Sequence, residues 1–251
     1  MSSERRGQQL AELIRTHQPC VVLTGAGIST ESGIPDFRSP VGLWAEFDPQ
    51  DYASLESFRR DPVRIWDFYG RRFAFLADAE PNDAHRALAR LEQLGLVEAV
   101  VTQNIDLLHE RAGSREVVEI HGSIRHAVCL SCGREETLAA VLAQLEAGPA
   151  PRCPACEAVL KPGVVFFGEL LPADELEQAT ALARRARLLL VVGSSLEVHP
   201  VAGLPHETLR HGGALAIVNH GPTPLDGRAD LRLDGSAGAI LRDALLELER
   251  R

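Results

Sequence analysis

Short apolar runs that stop on a glycine or a polar residue, each followed by a helix-length stretch, recur through this chain and constrain its fold more than any other feature. Val21-Val22-Leu23 leads into Gly25, Val97 to Val101 into Gln103-Asn104-Ile105-Asp106, and Val117 to Ile120 into His121. Leu188 to Val192 stops on Gly193-Ser194-Ser195, and Leu215 to Val218 on Asn219. Helical patterns fill the gaps: Gln8 to His17, Leu55 to Leu76 with Pro62 at a helix start, and Asp174 to Ala186. Asn82 is the expected N-cap of a helix with Leu88, Leu91 and Leu94 on one face and Gly95 at its end. One helix runs to Ala112 and another spans Pro200 to His211. A last strand, Leu231 to Leu233, precedes a closing helix from Ala237 to Leu248. Trp44 to Ala53 reads as irregular. This alternation predicts an α/β fold with a doubly wound parallel sheet and ligands at the carboxyl ends of its strands. One polar strand end is chance; five define the rim of a cleft.

The stretch Thr24-Gly25-Ala26-Gly27-Ile28-Ser29 follows the first strand directly. Closely spaced glycines allow a tight turn and let the backbone approach a phosphate. Alone, the stretch reads equally as a plain strand-to-helix turn or as a nucleotide-binding one. A dinucleotide fingerprint would have a third glycine where Thr30 stands, and an acidic residue after a second strand. Neither is at its expected place, which argues against a Rossmann-type dehydrogenase.

Four of the five cysteines, Cys129, Cys132, Cys153 and Cys156, form two Cys-x-x-Cys pairs separated by twenty residues. That is the spacing of a four-thiolate zinc site, and Gly133 and Pro154 suit its tight knuckles. Two redox or disulfide pairs are the alternative. No histidine or glutamate lies within the knuckles to activate water, so the metal is expected to be structural. Cys20 reads as a small core residue. Composition changes between Ile124 and Val159, where a helix from Glu136 to Glu146 and a Gly-Pro-Ala-Pro linker lie between the knuckles. The expected organisation is a Rossmann-like domain from 1–123 and 160–251, with its sheet resuming at Val164 to Phe167, and an inserted zinc-binding module at 124–159. A further helical part of the small domain is expected at about 40–80.

The excess of 35 acidic over 26 basic side chains argues against a general binder of nucleic acid or anionic membrane. Of the basic residues only Lys161 is a lysine. No apolar run approaches a membrane span and Met1 to Leu10 is polar, so a soluble, cytoplasmic protein is expected; a monomer is the separate expectation for its assembly.

Taken in order, several motifs resemble those of the sirtuins: Thr-Gly-Ala-Gly-Ile-Ser (24–29), Gly-Ile-Pro-Asp-Phe-Arg (33–38) and Thr-Gln-Asn-Ile-Asp (102–106). His121-Gly122 after a strand, the four cysteines, Lys-Pro-Gly-Val-Val-Phe-Phe-Gly-Glu (161–169) and Gly-Ser-Ser-Leu-Glu-Val (193–198) continue the series. The resemblance covers about residues 8–245 and implies an NAD-dependent protein-lysine deacylase that holds NAD and Zn2+. In that chemistry the acyl-lysine carbonyl oxygen attacks C1′ of the nicotinamide ribose, nicotinamide leaves, and the acyl group ends on ADP-ribose.

The resemblance also implies residue roles. His121 would be the general base, its ordinary pKa of about 6.5 suiting the task. Asn104 would hold the ribose or an ordered water, and Asp106 the nicotinamide carboxamide. Gly25, Ala26 and Gly27 would cradle the pyrophosphate, Arg38 would offer charge, and Phe37 would cover the reacting ribose. Ser29, Asp36, Trp44, Gln103 and Ile105 are further cofactor contacts. Gly193, Ser194, Ser195 and Asn219 would line the adenosine side, with the backbone near Ala237 under the adenine. His85 and His109 read as structural. An acylated protein lysine would enter as an extra, extended strand between Val165 to Glu169 (with Val165, Phe166, Phe167 and Gly168 as contacts) and Ser195 to Val198, bonded mainly through backbone groups.

Tyr69 and Arg72, three apart and so on one helical face, resemble the pair that marks sirtuins acting on succinyl- and malonyl-lysine. A hydroxyl and a guanidinium together bind a carboxylate by charge-assisted hydrogen bonds. Plain deacetylation and protein ADP-ribosyl transfer are the alternatives within this chemistry. A nucleotide-binding regulatory module with a zinc ribbon is the alternative of another class, and it would require neither His121 nor Asn104.

Overall fold

The division of the strands between two sheets decides where the site lies. The computed structural model describes residues 3–37, 39–40 and 42–250. Helix α1 (Ser3–Thr16) leads into β1 (Cys20–Thr24) and a 3-10 stretch, Ala26–Ser32. Three short helices follow, α2 (Leu43–Glu46), α3 (Pro49–Tyr52) and α4 (Leu55–Arg60), then the longer α5 (Pro62–Asp78). Next come α6 (Asp83–Gln93), β2 (Ala99–Thr102), α7 (Leu108–Arg111) and β3 (Val117–Glu119). The middle of the chain holds β4 (Gly122–Val128), β5 (Glu135–Thr137), α8 (Leu138–Ala147) and β6 (Lys161–Val164). It closes with α9 (Ala173–Arg185), β7 (Leu188–Val192), α10 (Leu204–Arg210), β8 (Ala214–Val218), β9 (Leu231–Leu233) and α11 (Ala237–Glu249).

The larger sheet has the order β3-β2-β1-β7-β8-β9 and is parallel throughout, the doubly wound arrangement expected. Helices cover both faces, so β7 and β8 are apolar at every position rather than alternating. On one face Cys20, Val22, Leu190 and Val192 pack against Leu10 and Ile14 of α1, Leu88 and Leu91 of α6, and Leu241 of α11. On the other, Val21, Leu23, Leu189 and Val191 pack against Ala179 and Leu182 of α9 and Leu204 of α10. Cys20 is core, and burial pushes its thiol up to about 12. The chain builds β2 and β3 to one side of β1, and β7, β8 and β9 to the other. Connections therefore diverge at the carboxyl ends of β1 and β7 and leave a crevice there.

The second sheet is antiparallel, in the order β5-β4-β6. Its core is shared with α5: Trp66, Phe68, Tyr69 and Phe73 pack with Ile124, Leu160, Val164 and Phe166. Trp66 Nε1 donates to the Leu160 carbonyl at 2.6 Å. Asp61 starts α5, its carboxylate accepting from Arg64 N with Pro62 in the first turn.

Two expectations are corrected. The apolar run Val164 to Phe167 does not resume the parallel sheet. Gly122, at φ 70, turns the chain out of β3 and lays it on β6, where a Cβ would lie 2.2 Å from the Gly163 carbonyl oxygen. β6 consequently pairs with β4, and Phe167 is left in an isolated bridge to Ser54. Trp44 to Ala53, expected to be irregular, contains helical residues in α2 and α3. Asp48 caps α3 by accepting from Gln50 N.

Candidate active site

A cleft of about 1400 Å³ lies over the carboxyl ends of β1 and β7, bounded on the far side by α5 and the segment after β6. Gly27 N donates to the Gly193 carbonyl at 2.8 Å across its base. A Cβ on Gly193, whose φ is 63, would stand 2.2 Å from Ile28 N. Only glycine lets the two strand ends meet this closely.

His121 sits just past β3 on the cleft wall, its Nδ1 3.1 Å from the Gln103 carbonyl oxygen. A carbonyl can only accept, so Nδ1 carries the proton and the neutral ring keeps its lone pair on Nε2. Beside it, Asn104 Nδ2 donates to Ser29 Oγ at 3.0 Å, and Ser29 Oγ donates to Asp106 Oδ2 at 2.7 Å. Leu108 N donates to Asp106 Oδ1 at 3.0 Å, and Thr102 Oγ1 accepts from Asn104 N at 3.0 Å. The Asn104 amide is therefore oriented from behind, with Oδ1 as its acceptor for a ligand. Burial raises the Asp106 pKa, held back by the Leu108 N–H, Ser29 and Asn104.

Under this layer lie two buried imidazoles. His85 Nδ1 faces Asn82 N at 3.4 Å in the capping box of α6, and its Nε2 lies 3.5 Å from Ser29 Oγ. His109 Nε2 is 3.0 Å from Thr24 Oγ1, which donates to Thr102 Oγ1 at 2.8 Å. Burial lowers His85 to about 4, with Arg86 adding to the effect, and takes His109 well below its ordinary value, with His85 adding. His109 Nδ1 is buried with no hydrogen-bond partner among the described residues. The Asn82-x-x-His85 spacing was the only sequence sign that His85 joins a network; nothing around His109 signals its contact with Thr24.

At the other end of the cleft, Tyr69 and Arg72 of α5 both line the wall. Arg72 Nη1 donates to the Phe68 carbonyl at 2.7 Å, and its guanidinium stands 3.5 Å from the centroid of the Phe68 ring. Burial lowers the Arg72 pKa, opposed by Tyr69 and Glu46, and raises that of Tyr69, opposed by Arg72. Phe37 and Trp44 stack at 5.3 Å, and Asp36 Oδ1 accepts from Ser39 N at 2.8 Å.

Gly25, Ala26, Gly27, Ser29, Gln103 to Asp106, Gly193 to Ser195, Asn219 and Val165 to Gly168 all line the same cleft. Ala237 is instead the buried first residue of α11, outside the cleft lining; Ser236 caps that helix, and Glu31 accepts from Ser236 Oγ and Gly238 N. Arg38 lies outside the described residues. Ile34, Leu43, Phe73 and Leu76 also line the cleft. Their types are those of core residues, so sequence reasoning passed over them.

The four cysteine sulfurs gather within 4.8 Å of one another, with separations of 3.4 Å (Cys129–Cys156), 3.6 Å (Cys132–Cys153) and 3.7 Å (Cys132–Cys156). Zinc–sulfur bonds of about 2.3 Å place tetrahedral sulfurs about 3.8 Å apart, so the set fits zinc. The two knuckles match: Gly133 N donates to Cys129 O, and Glu157 N to Cys153 O, each at 2.9 Å.

Comparison with known proteins gives the same picture. The profile of the Sir2 family matches residues 25–200. A protein of Caldivirga maquilingensis described as an NAD-dependent protein deacetylase is 45% identical over 244 residues, covering 97% of this chain and 94% of its own. One from Thermococcus kodakarensis, described as an NAD-dependent protein deacylase, is 44% identical over 241 residues, covering 94% and 93%. A solved Sir2 complex with a p53 peptide and NAD+ has a TM-score of 0.90 at 41% identity, covering 97% of this chain and 99% of that one. A Sir2 enzyme bound to a propionylated peptide has a TM-score of 0.87 at 41% identity, covering 95% and 97%. Similarity of this extent, in sequence and in fold, leaves one conclusion: the chain belongs to the Sir2 family, the sirtuins.

Proposed function

We propose that the cleft takes NAD and an acylated protein lysine together, and that His121 acts through Nε2 as general base in NAD-dependent lysine deacylation. Family membership, and relatives described as NAD-dependent deacetylases and deacylases, support the reaction class. The observation that carries the role of His121 is its bond to the Gln103 carbonyl, which sets the tautomer a base requires.

NAD supplies a ribose carbon from which nicotinamide departs as an acyl oxygen arrives. The chain does the rest. Gly25, Ala26 and Gly27 bring backbone close to the pyrophosphate, while Gly193, Ser194, Ser195 and Asn219 flank the adenosine. Ser29, Asp36, Phe37, Trp44, Gln103 and Ile105 enclose the nicotinamide end. Asn104, held by Ser29, offers Oδ1 to a ribose hydroxyl or a water, and Asp106 faces the carboxamide. His121 Nε2 takes a proton from a ribose hydroxyl. The peptide lies as a strand along Val165 to Gly168, and aromatic walls keep water from the reacting groups. Cys129, Cys132, Cys153 and Cys156 hold zinc as a structural ion, in a small domain formed by residues 124–159 and the helical insertion near 40–80.

A second observation favours a carboxylated acyl group: Arg72 is a half-buried cation on the cleft wall, beside the Tyr69 ring. Succinyl- and malonyl-lysine are therefore proposed substrates alongside acetyl-lysine. One mass-spectrometric panel of acyl peptides with NAD tests these readings. His121→Ala should lower turnover about 100-fold or more while melting temperature and NAD binding stay near wild type; near-normal turnover would remove His121 from the mechanism. Arg72→Met should cut succinyl-lysine cleavage about tenfold more than acetyl-lysine cleavage. Equal losses would return the enzyme to plain deacetylation, and ADP-ribosyl-peptide among the products would favour transfer.

A further inference from the structure

Lys161, the sole lysine of the chain, stands at the start of β6 and is 3% exposed. Its three ammonium hydrogens have three acceptors: the carbonyls of Pro162 at 2.8 Å and Val164 at 2.7 Å, and Glu169 Oε2 at 3.1 Å. The ammonium also lies 4.5 Å from the centroid of the Phe166 ring. Glu169 Oε2 accepts a second time, from Phe166 N at 2.8 Å, and Glu169 N donates back to the Phe166 carbonyl at 3.0 Å. Gly168, at φ 88, supplies the positive φ this turn requires. Between the anchors, Val165 N donates to the His121 carbonyl at 2.9 Å, and Phe167 N to the Ala53 carbonyl at 2.7 Å.

We propose that Lys161 and Glu169 form a clamp that sets the shape of the segment Val164 to Gly168, making Lys161 a positioning residue for the acyl-lysine peptide. The inference rests on the reading that this segment receives the peptide. Net stability is a poor reason for the pair, because buried ion pairs are commonly matched by apolar side chains of similar volume. An apolar side chain could not orient the two carbonyls, the carboxylate and, through it, the Phe166 amide. The chain uses arginine at every other cationic position. Here the acceptors surround a single nitrogen, a geometry that suits a compact ammonium and not a planar guanidinium. The same segment bonds the carbonyl of His121, so the clamp also ties the peptide edge to the backbone of the base.

The test compares wild type, Lys161→Met and the double variant Lys161→Met/Glu169→Gln, reading melting temperature, zinc content, and KM for acyl peptide and for NAD separately. The single variant leaves the partly buried Glu169 carboxylate without its cation, held by Phe166 N alone, and is the one at risk of misfolding. The double variant buries no lone charge, and the glutamine amide still has an oxygen for Phe166 N. The expected result is a folded double variant whose peptide KM rises about tenfold or more while its NAD KM stays within about twofold. A folded double variant with unchanged peptide KM overturns the clamp. So does an equal rise in both KM values, or a double variant that cannot fold, since either assigns the pair to general structure. Wild-type protein that turns over no acyl peptide overturns the reading of the site, and the clamp with it.

Discussion

His85 and His109 stand edge to face at 4.9 Å beneath Ser29 and Thr24, and their burial makes the fold sensitive to acid. An imidazole kept neutral in the fold binds fewer protons than it does in the unfolded chain. Its contribution to stability is therefore complete above the unfolded pKa of about 6.5 and is lost as pH falls toward the folded value. For His85, lowered to about 4, the loss near that pH is on the order of 3 kcal/mol; His109 shifts in the same direction. Asp106, with its raised pKa, works oppositely, favouring the fold at low pH and losing that contribution as pH rises. Thermal midpoints should fall steadily from pH 7 to pH 5, and more shallowly in His85→Gln; equal, flat profiles would show that the imidazoles are not the titrating groups. The place of His121 on the cleft wall was legible because it follows an apolar strand, whereas its expected role as a base came from the motif resemblance. The proton on its Nδ1 was not legible, since that depends on where the Gln103 carbonyl points.

At the scale of elements, hydrophobic periodicity revealed which segments are helix or strand but not which partners they take. Val164 to Phe167 is apolar enough for either sheet, and the turn at Gly122 decides. The helices α2 and α3 are four residues each, too short for a period to register. The cysteine knuckles were the most readable local feature, because spacing alone restricts what four thiolates can do. Zinc there should support more than its own ribbon, since Trp66 of α5 is bonded to the Leu160 carbonyl between the second knuckle and β6. Cys132→Ala is expected to lose stoichiometric zinc and to lower the melting temperature. Atomic absorption and a thermal scan decide it: one zinc per chain retained in the variant would refute the assignment.

Across the whole molecule, the strand ends that the sequence marked as a rim do surround one cleft, because a parallel sheet points all its carboxyl ends the same way. The strand order β3-β2-β1-β7-β8-β9, and hence the place where the crevice opens, required the fold. No helix among the described residues is long and apolar enough to cross a membrane. The burial of Lys161 has a consequence beyond the cleft. Reactive thioesters and acyl phosphates modify proteins at exposed ε-amines, and these 251 residues present none, their single one being enclosed by carbonyls, a carboxylate and an aromatic ring. Peptide mapping after treatment of the native protein with succinic anhydride should find Lys161 unmodified, and modified once the chain is denatured first. An enzyme of this family built in this way offers no exposed lysine to the kind of mark it removes.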